Sequence, residues 1–489
     1  SGSAGLTPQD SLAKRTISST LWQTAASLIS SLILFVRSIL LARWLPVEAF
    51  GVYGYAGAII IITSRLASFG MGPGLLHRAP ETEDEDTAAA THFTLKLLFT
   101  TIWALLLLSY AAFFAEPQYR RALLALTLIH AILQLTETPR LILARRVVHR
   151  RLSLLAVLNV TLSSFAALLL ARLGQPMWAL IATDFASLTV SIIGLYLWHP
   201  VWRPKLSWSP DIVRYFLSFG ARNSPGSLLH ALLDRVDDAW TGSRLGSTAA
   251  GFYTKAYSFA TYPRRVIAGP LTSVSGGSYA ELKFDRQGLS QAFFRINATL
   301  VRAGFFAGGL LALIAPEFIR IVLGDKWVPM LDAYRLMLVF TLLDPLKNTV
   351  ANLFNAVGKP EQVTFARLAQ LPVLVIGLSL LGPRLGITGV ALAVDAMLLV
   401  GMGILFWQAR KHVDFSLVQL FGTPAAALII GMVISRGLLA IPGVLGSDWR
   451  TGSVKTVGFV VIYVAILYTL ERKQTTKMAK WTISAIKWR

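Results

Sequence analysis

Ten basic side chains fall inside or beside long apolar runs: Arg37, Arg65, Lys96, Arg222, Lys255, Arg264, Arg265, Arg295, Arg302 and Lys347. The carboxylates in the same runs are fewer: Glu137, Asp184, Asp234, Asp237, Asp238, Asp344 and Asp395. An apolar surround tolerates such charges only when they are paired or face water. An excess of arginine there points to an anion, because the planar guanidinium forks onto carboxylate or phosphate and stays charged. The competing reading is structural, with Arg37 and Asp237 pinning two helices together. Arg43, Arg264, Arg295 and Lys96 stand near expected helix ends, from which they can snorkel to headgroups.

Spacing sorts the polar residues further. Steps of four and three along a helix keep to one face. One such face carries Gln23, Ser27, Ser30, Leu34, Arg37 and Leu41, and another carries Asn223, Ser227, His230, Asp234, Asp237 and Thr241. The two are displaced by 200 residues, as are Arg65 and Arg265. The phrase "LPVEAFGVYGYA" (Leu45 to Ala56) returns at the same offset as "LGSTAAGFYTKA" (Leu245 to Ala256), with five of twelve positions identical. The offset thus organises two helices and the turn between them. A chemistry of proton or sodium binding is open to Asp184, Asp237, Asp238 and Asp395, where desolvation favours a bound cation. A salt bridge to a neighbouring arginine is the other use for each.

The elements that must position these residues are membrane spans. The 489 residues are 54% hydrophobic and 15% charged, where soluble domains run near a quarter charged. Runs such as "LKLLFTTIWALLLLSYAAFF" (Leu95 to Phe114) reach the roughly 20 residues a spanning helix needs. Breaks divide the chain into about fourteen spans, near 16 to 43, 50 to 75, 90 to 114, 121 to 143, 152 to 171, 177 to 198, 212 to 242, 248 to 280, 289 to 322, 330 to 355, 361 to 381, 386 to 409, 417 to 438 and 453 to 470. The first reads as a retained span, since no small-residue cleavage site follows it. The net charge of +21 belongs to the positive-inside rule and not to nucleic acid. With both termini inside, inner segments hold 21 Lys and Arg and outer ones 7.

The expected fold class is therefore all-α and polytopic, with two pseudo-symmetric six-helix lobes and two added helices. The segments are a cytoplasmic start (1–15), an N-lobe (16–200), a C-lobe (201–410), a last helix pair (411–470) and a basic tail (471–489). Six spans per repeat is an even number, so both lobes enter from one side, related by an axis along the membrane normal. Outer loops are short, which argues against a membrane glycosyltransferase. There are no cysteines, no HExxH pair and no GxxxxGK[ST] loop, so metal, disulfide and nucleotide chemistry have no visible seat. The chain is not expected to be an enzyme.

"LLARWLPVEAFGVYGYA" (Leu40 to Ala56), "SFGMGPGLLHR" (Ser68 to Arg78), "GFYTKAYSFATYPRRVIAGPLTSV" (Gly251 to Val274) and "NLFNAVGKPEQVTFAR" (Asn352 to Arg367) resemble polysaccharide flippases of the Wzx type, near the colanic-acid and teichuronic-acid exporter branch of the multidrug/oligosaccharidyl-lipid/polysaccharide superfamily. The resemblance covers about the first twelve spans. It implies a central cationic cavity that carries an undecaprenyl-pyrophosphate-linked oligosaccharide across the bacterial inner membrane by alternating access. It puts Arg37, Arg65 and Arg265 on the pyrophosphate, "PRR" (Pro263 to Arg265) leaving open whether Arg264 or Arg265 faces inward, and the excess of positive charge adds Arg222 and Arg302 to that site. Gln23, Ser27, Ser30, Asn223, Ser227 and Thr241 would meet the sugars. The partners implied are that lipid-linked glycan, membrane lipids and polysaccharide polymerase or assembly proteins, with no nucleic acid. No cofactor is implied beyond a coupling H+ or Na+. Rival readings are a lipid II flippase and a cation-coupled drug exporter of the same superfamily.

Overall fold

Apolar runs in a membrane have to satisfy their backbone groups within each segment, and helices do so. The computed structural model describes residues 27, 29–78, 85–145, 149–440 and 447–472, with the side chains at 149, 150, 265–267, 270, 273, 274 and 341 outside that description. Among the described residues there are helices and no strands. Nine of these helices are long and apolar enough to cross a membrane. Side chains such as Leu106, 69% exposed, and Val461, 60% exposed, would be a liability in water and suit a lipid face.

Packing divides the chain into two units, residues 1–251 and 252–489. That is a division by contact, and it differs in kind from the lobes drawn by the sequence repeat. The first unit holds α1 (29–44), α2 (Val47–Ser68), α3 (Gly72–His77), α4 (Glu85–Phe113), α5 (Pro117–Leu135), α6 (Glu137–Arg145), α7 (His149–Arg172), α8 (Pro176–Ile192) and α9 (210–245). Its core joins α2, α4, α5 and α8 through Val52, Ile60, Trp103, Leu126 and Leu188.

Helix α10 (247–281) starts in the first unit and runs from residue 252 into the second, which continues with α11 (Arg286–Leu313), α12 (Leu331–Ala356), α13 (361–385), α14 (387–409), α15 (Thr423–Gly437) and α16 (Asp448–Leu470). Here α11, α15 and α16 meet at Leu313, Ala427, Phe459 and Tyr463. Two long helical stretches are broken by single glycines: Gly246 at φ +85° separates α9 from α10, and Gly386 at φ +59° separates α13 from α14. Positive φ is cheap only without a β-carbon. The expected spans at 248 to 280 and 386 to 409 start within a residue of α10 and α14.

The two copies of the repeated phrase touch. A β-carbon on Gly51 would overlap the carbonyl of Ser247, and one on Gly251 would overlap the carbonyl of Val47. Because 247 and 251 are 47 and 51 displaced by 200, one contact is made twice about a local twofold. On that axis Thr248 Oγ1 donates to Oε1 of Glu48, its own counterpart, at 3.0 Å.

Candidate functional site

In the first unit the polar side chains fall into three groups. The first surrounds Asp184 on α8: the Tyr53 hydroxyl donates to its Oδ2 at 2.8 Å, and His130 Nε2 lies 3.2 Å from its Oδ1. Nearby on α7, Ser163 Oγ accepts from Arg37 Nη1 at 3.3 Å, and Asn159 Oδ1 accepts from Ser187 at 2.9 Å. Arg37 is half-buried, as is Ser30 on the same helix, while Ser27 is exposed. Gln23 lies outside the described residues.

The second group lies where α2, α4 and α6 meet. Lys96 is only 1% exposed, pairs with Glu137 and donates to Ser68 Oγ at 2.9 Å, and Ser68 in turn donates to Gln134. Lys96 therefore does not snorkel to headgroups: Glu137 on the facing helix holds it inside. Arg65, one turn before Ser68, is exposed and has no hydrogen-bond or carboxylate partner among the described residues.

The third group runs along α9. At one end Asn223 Nδ2 donates to the carbonyl of Gly70 at 3.1 Å, and Gly220 packs so closely on Phe69 that a β-carbon would overlap its carbonyl. Arg222, exposed, sits in this junction and donates from Nε to its own helix at Ser218. Ser227 likewise turns back to Ser224. At the other end Arg235 lies between Asp234 and Asp238, 3.2 Å from each. Asp237 and Asp238 are buried, and Thr241 Oγ1 donates to the Asp237 carbonyl at 2.7 Å. Thus α2 and α9, carrying Arg65 and Arg222, are pinned at Phe69–Gly70.

The second unit treats its charges differently. Arg302 is buried, and its Nε and Nη2 donate to Glu471 Oε2 at 2.8 and 2.6 Å. Tyr463 donates to the Arg302 carbonyl. Arg264 and Lys347 both pair with Asp344, so Arg264 does not snorkel either. The Arg265 side chain lies outside the described residues. Asp395, on α14, is buried, and its Oδ1 has no hydrogen-bond partner among the described residues.

Breaking a buried pair leaves an uncompensated charge, at a cost of about 3–5 kcal/mol. Glu471→Ala is therefore expected to lower the melting temperature of the purified protein clearly, whereas Glu361→Ala at an exposed position should leave it nearly unchanged, both read by thermal unfolding in detergent.

Sequence reasoning missed Tyr53, His130 and Arg235 as members of these groups. Arg235 had a signal in "DRVDD" (Asp234 to Asp238), where i,i+3 spacing brings it to Asp238. Tyr53 and His130 stand on separate helices from Asp184, and no spacing along the chain reveals them.

This fold, with its long apolar helices and buried ion pairs, is that of a multi-pass membrane protein. Its backbone matches the lipid II flippase MurJ in an inward closed conformation at TM-score 0.77 and 12% identity, over 93% of this chain and 99% of that one. It also matches an inward-facing multidrug resistance MATE family transporter of the MOP superfamily at TM-score 0.60 and 17% identity, over 80% and 97%. The chain belongs to the polysaccharide biosynthesis protein family, whose model matches residues 40–332. Among curated relatives it is 23% identical to the lipopolysaccharide biosynthesis protein WzxC of Escherichia coli K12, over 78% of each chain. It is 22% identical to the teichuronic acid biosynthesis protein TuaB of Bacillus subtilis, over 72% of this chain and 73% of that one. Against the succinoglycan biosynthesis transport protein ExoT of Rhizobium meliloti it is 24% identical, over 60% and 59%.

Proposed function

We propose that this protein is a non-enzymatic flippase that carries an undecaprenyl-pyrophosphate-linked oligosaccharide across the bacterial inner membrane by alternating access, with both termini cytoplasmic. The observation that carries the reading is the pair Arg65 and Arg222, both exposed inside a membrane-embedded unit, on helices joined by the Asn223–Gly70 hydrogen bond, neither guanidinium being paired with a carboxylate among the described residues. Exposed arginines at such a place are stable facing an aqueous cavity and not lipid. Two cations there suit a pyrophosphate, which cannot cross about 30 Å of hydrocarbon by itself. A cation-coupled drug exporter would need the reverse balance of charge. The names of WzxC, TuaB and ExoT, all of polysaccharide biosynthesis, favour the glycan over lipid II. From their sequence positions we assign Arg37 and Arg265 to the same pyrophosphate as substrate-contacting residues, and Ser27, Ser30 and Asn223 to the sugars. Arg302, held by Glu471, we assign to securing the last helix.

For the coupling ion we assign Asp395. Asp184 is engaged by Tyr53 and His130, Asp238 by Arg235, and Asp237 is engaged as well, whereas Asp395 Oδ1 has no hydrogen-bond partner among the described residues. The test is translocation of a fluorescent lipid-linked oligosaccharide by the purified protein in liposomes, with and without an imposed H+ or Na+ gradient. Translocation accelerated by one gradient, and an Asp395→Asn variant that flips but no longer responds to it, are the expected results. No protein-dependent translocation would overturn the flippase reading, and an unchanged gradient response in Asp395→Asn would overturn the assignment of the ion.

A further inference from the structure

The geometry points to a binding site for an anionic phospholipid between the start of α11 and the segment 414–419, separate from the cavity proposed for the glycan. A cleft of about 590 Å³ opens there. Its lining combines polar Gln291, Arg295 and Gln419 with apolar Phe294, Ala298 and Phe415. At its rim Arg286 forks onto Asp414, Nε and Nη2 donating at 3.0 and 2.8 Å. That guanidinium holds the Asp414 carboxyl below the usual carboxylate range, so the rim stays an ion pair.

Depth decides what the cleft takes. Arg286 starts α11 at the water, and Arg295 is nine residues further along. At 1.5 Å per residue that is about 14 Å deeper, past a headgroup layer roughly 5–8 Å thick. Arg295 is exposed there, with no hydrogen-bond or carboxylate partner for its guanidinium among the described residues. An unpaired arginine at the edge of the hydrocarbon is costly. The phosphate of a lipid drawn into the cleft removes that cost, while its acyl chains lie against Phe294 and Phe415. Among the described residues lining the cleft Asp414 is the one carboxylate beside Arg286 and Arg295, and Lys283 and Lys411 line an adjoining cavity of about 630 Å³ that shares Arg286. The surplus of positive charge selects an anionic headgroup over a zwitterionic one. The site depends on membrane embedding alone and stands whatever the transporter carries.

Native mass spectrometry of the full-length protein, delipidated and titrated with phosphatidylglycerol or phosphatidylcholine of equal chain length, tests this. Phosphatidylglycerol should bind about fivefold to thirtyfold more tightly, in keeping with one or two extra cation contacts, and Arg295→Gln should reduce it to the phosphatidylcholine level. Arg295→Lys should keep part of the preference, and Phe415→Ser should weaken long-chain more than dihexanoyl phosphatidylglycerol. Equal binding of the two lipids, or an unchanged preference in Arg295→Gln, overturns the site. Displacement of the lipid by millimolar inorganic phosphate would make it a free-anion site. One-for-one displacement by undecaprenyl pyrophosphate would make it part of the substrate path. Either displacement also overturns the assignment.

Discussion

Export should stop almost completely when residues 48 and 248 are bridged. The chain has no cysteine, so Glu48→Cys with Thr248→Cys creates the only two thiols, both at exposed positions that already exchange a hydrogen bond. Alternating access requires the ends of the repeated helices to part on one side of the membrane at one stage of the cycle. The backbone contacts of Gly51 on Ser247 and of Gly251 on Val47 leave no slack, so parting is all or nothing there. A short bifunctional thiol reagent with a reducible spacer is expected to abolish translocation in proteoliposomes, and reduction should restore it. Either single cysteine treated alike should work normally. Full translocation by the bridged protein would mean that this contact stays closed throughout the cycle.

Charge reversal at the exposed arginines is the second large effect. A charged hydrogen bond is worth about 1.5–3 kcal/mol, or roughly 10- to 100-fold in rate if formed mainly while the pyrophosphate crosses. Arg65→Glu and Arg222→Glu should each slow flipping by about that factor, with insertion and melting temperature unchanged because neither side chain holds another element in place. Arg65→Lys should recover part of the rate, since lysine supplies charge without the fork. Arg302→Gln, by contrast, should lose stability together with rate. If Arg65→Glu and Arg222→Glu both flip at the normal rate, the anion site lies elsewhere.

Much of the fold could be read along the chain because membrane spans announce themselves in contiguous residues. The start of α10 after Gly246 and of α14 after Gly386 follow from local composition. The repeat was also legible, and the structure gave it a physical meaning in the contact of Gly51 with Ser247. Partnerships between helices were not legible. Lys96 and Glu137 are separated by 41 positions, and Arg302 and Glu471 by 169, and no periodicity links them. A lysine near a span end reads as a snorkelling side chain until the opposing carboxylate is seen. The same blindness hid Tyr53 and His130 beside Asp184, although each lies on a helix whose limits were readable.

The contact between the two phrases has a consequence for assembly. A patch that meets its own copy about a twofold is what holds a homodimer together. Val47, Glu48 and Gly51 would present the same face to a second molecule as they present here to Ser247, Thr248 and Gly251. Two separately expressed fragments carrying only the first copy would, however, set Glu48 against Glu48 with no donor between them, so the covalent link supplies at high effective concentration the Thr248 partner that such a fragment lacks.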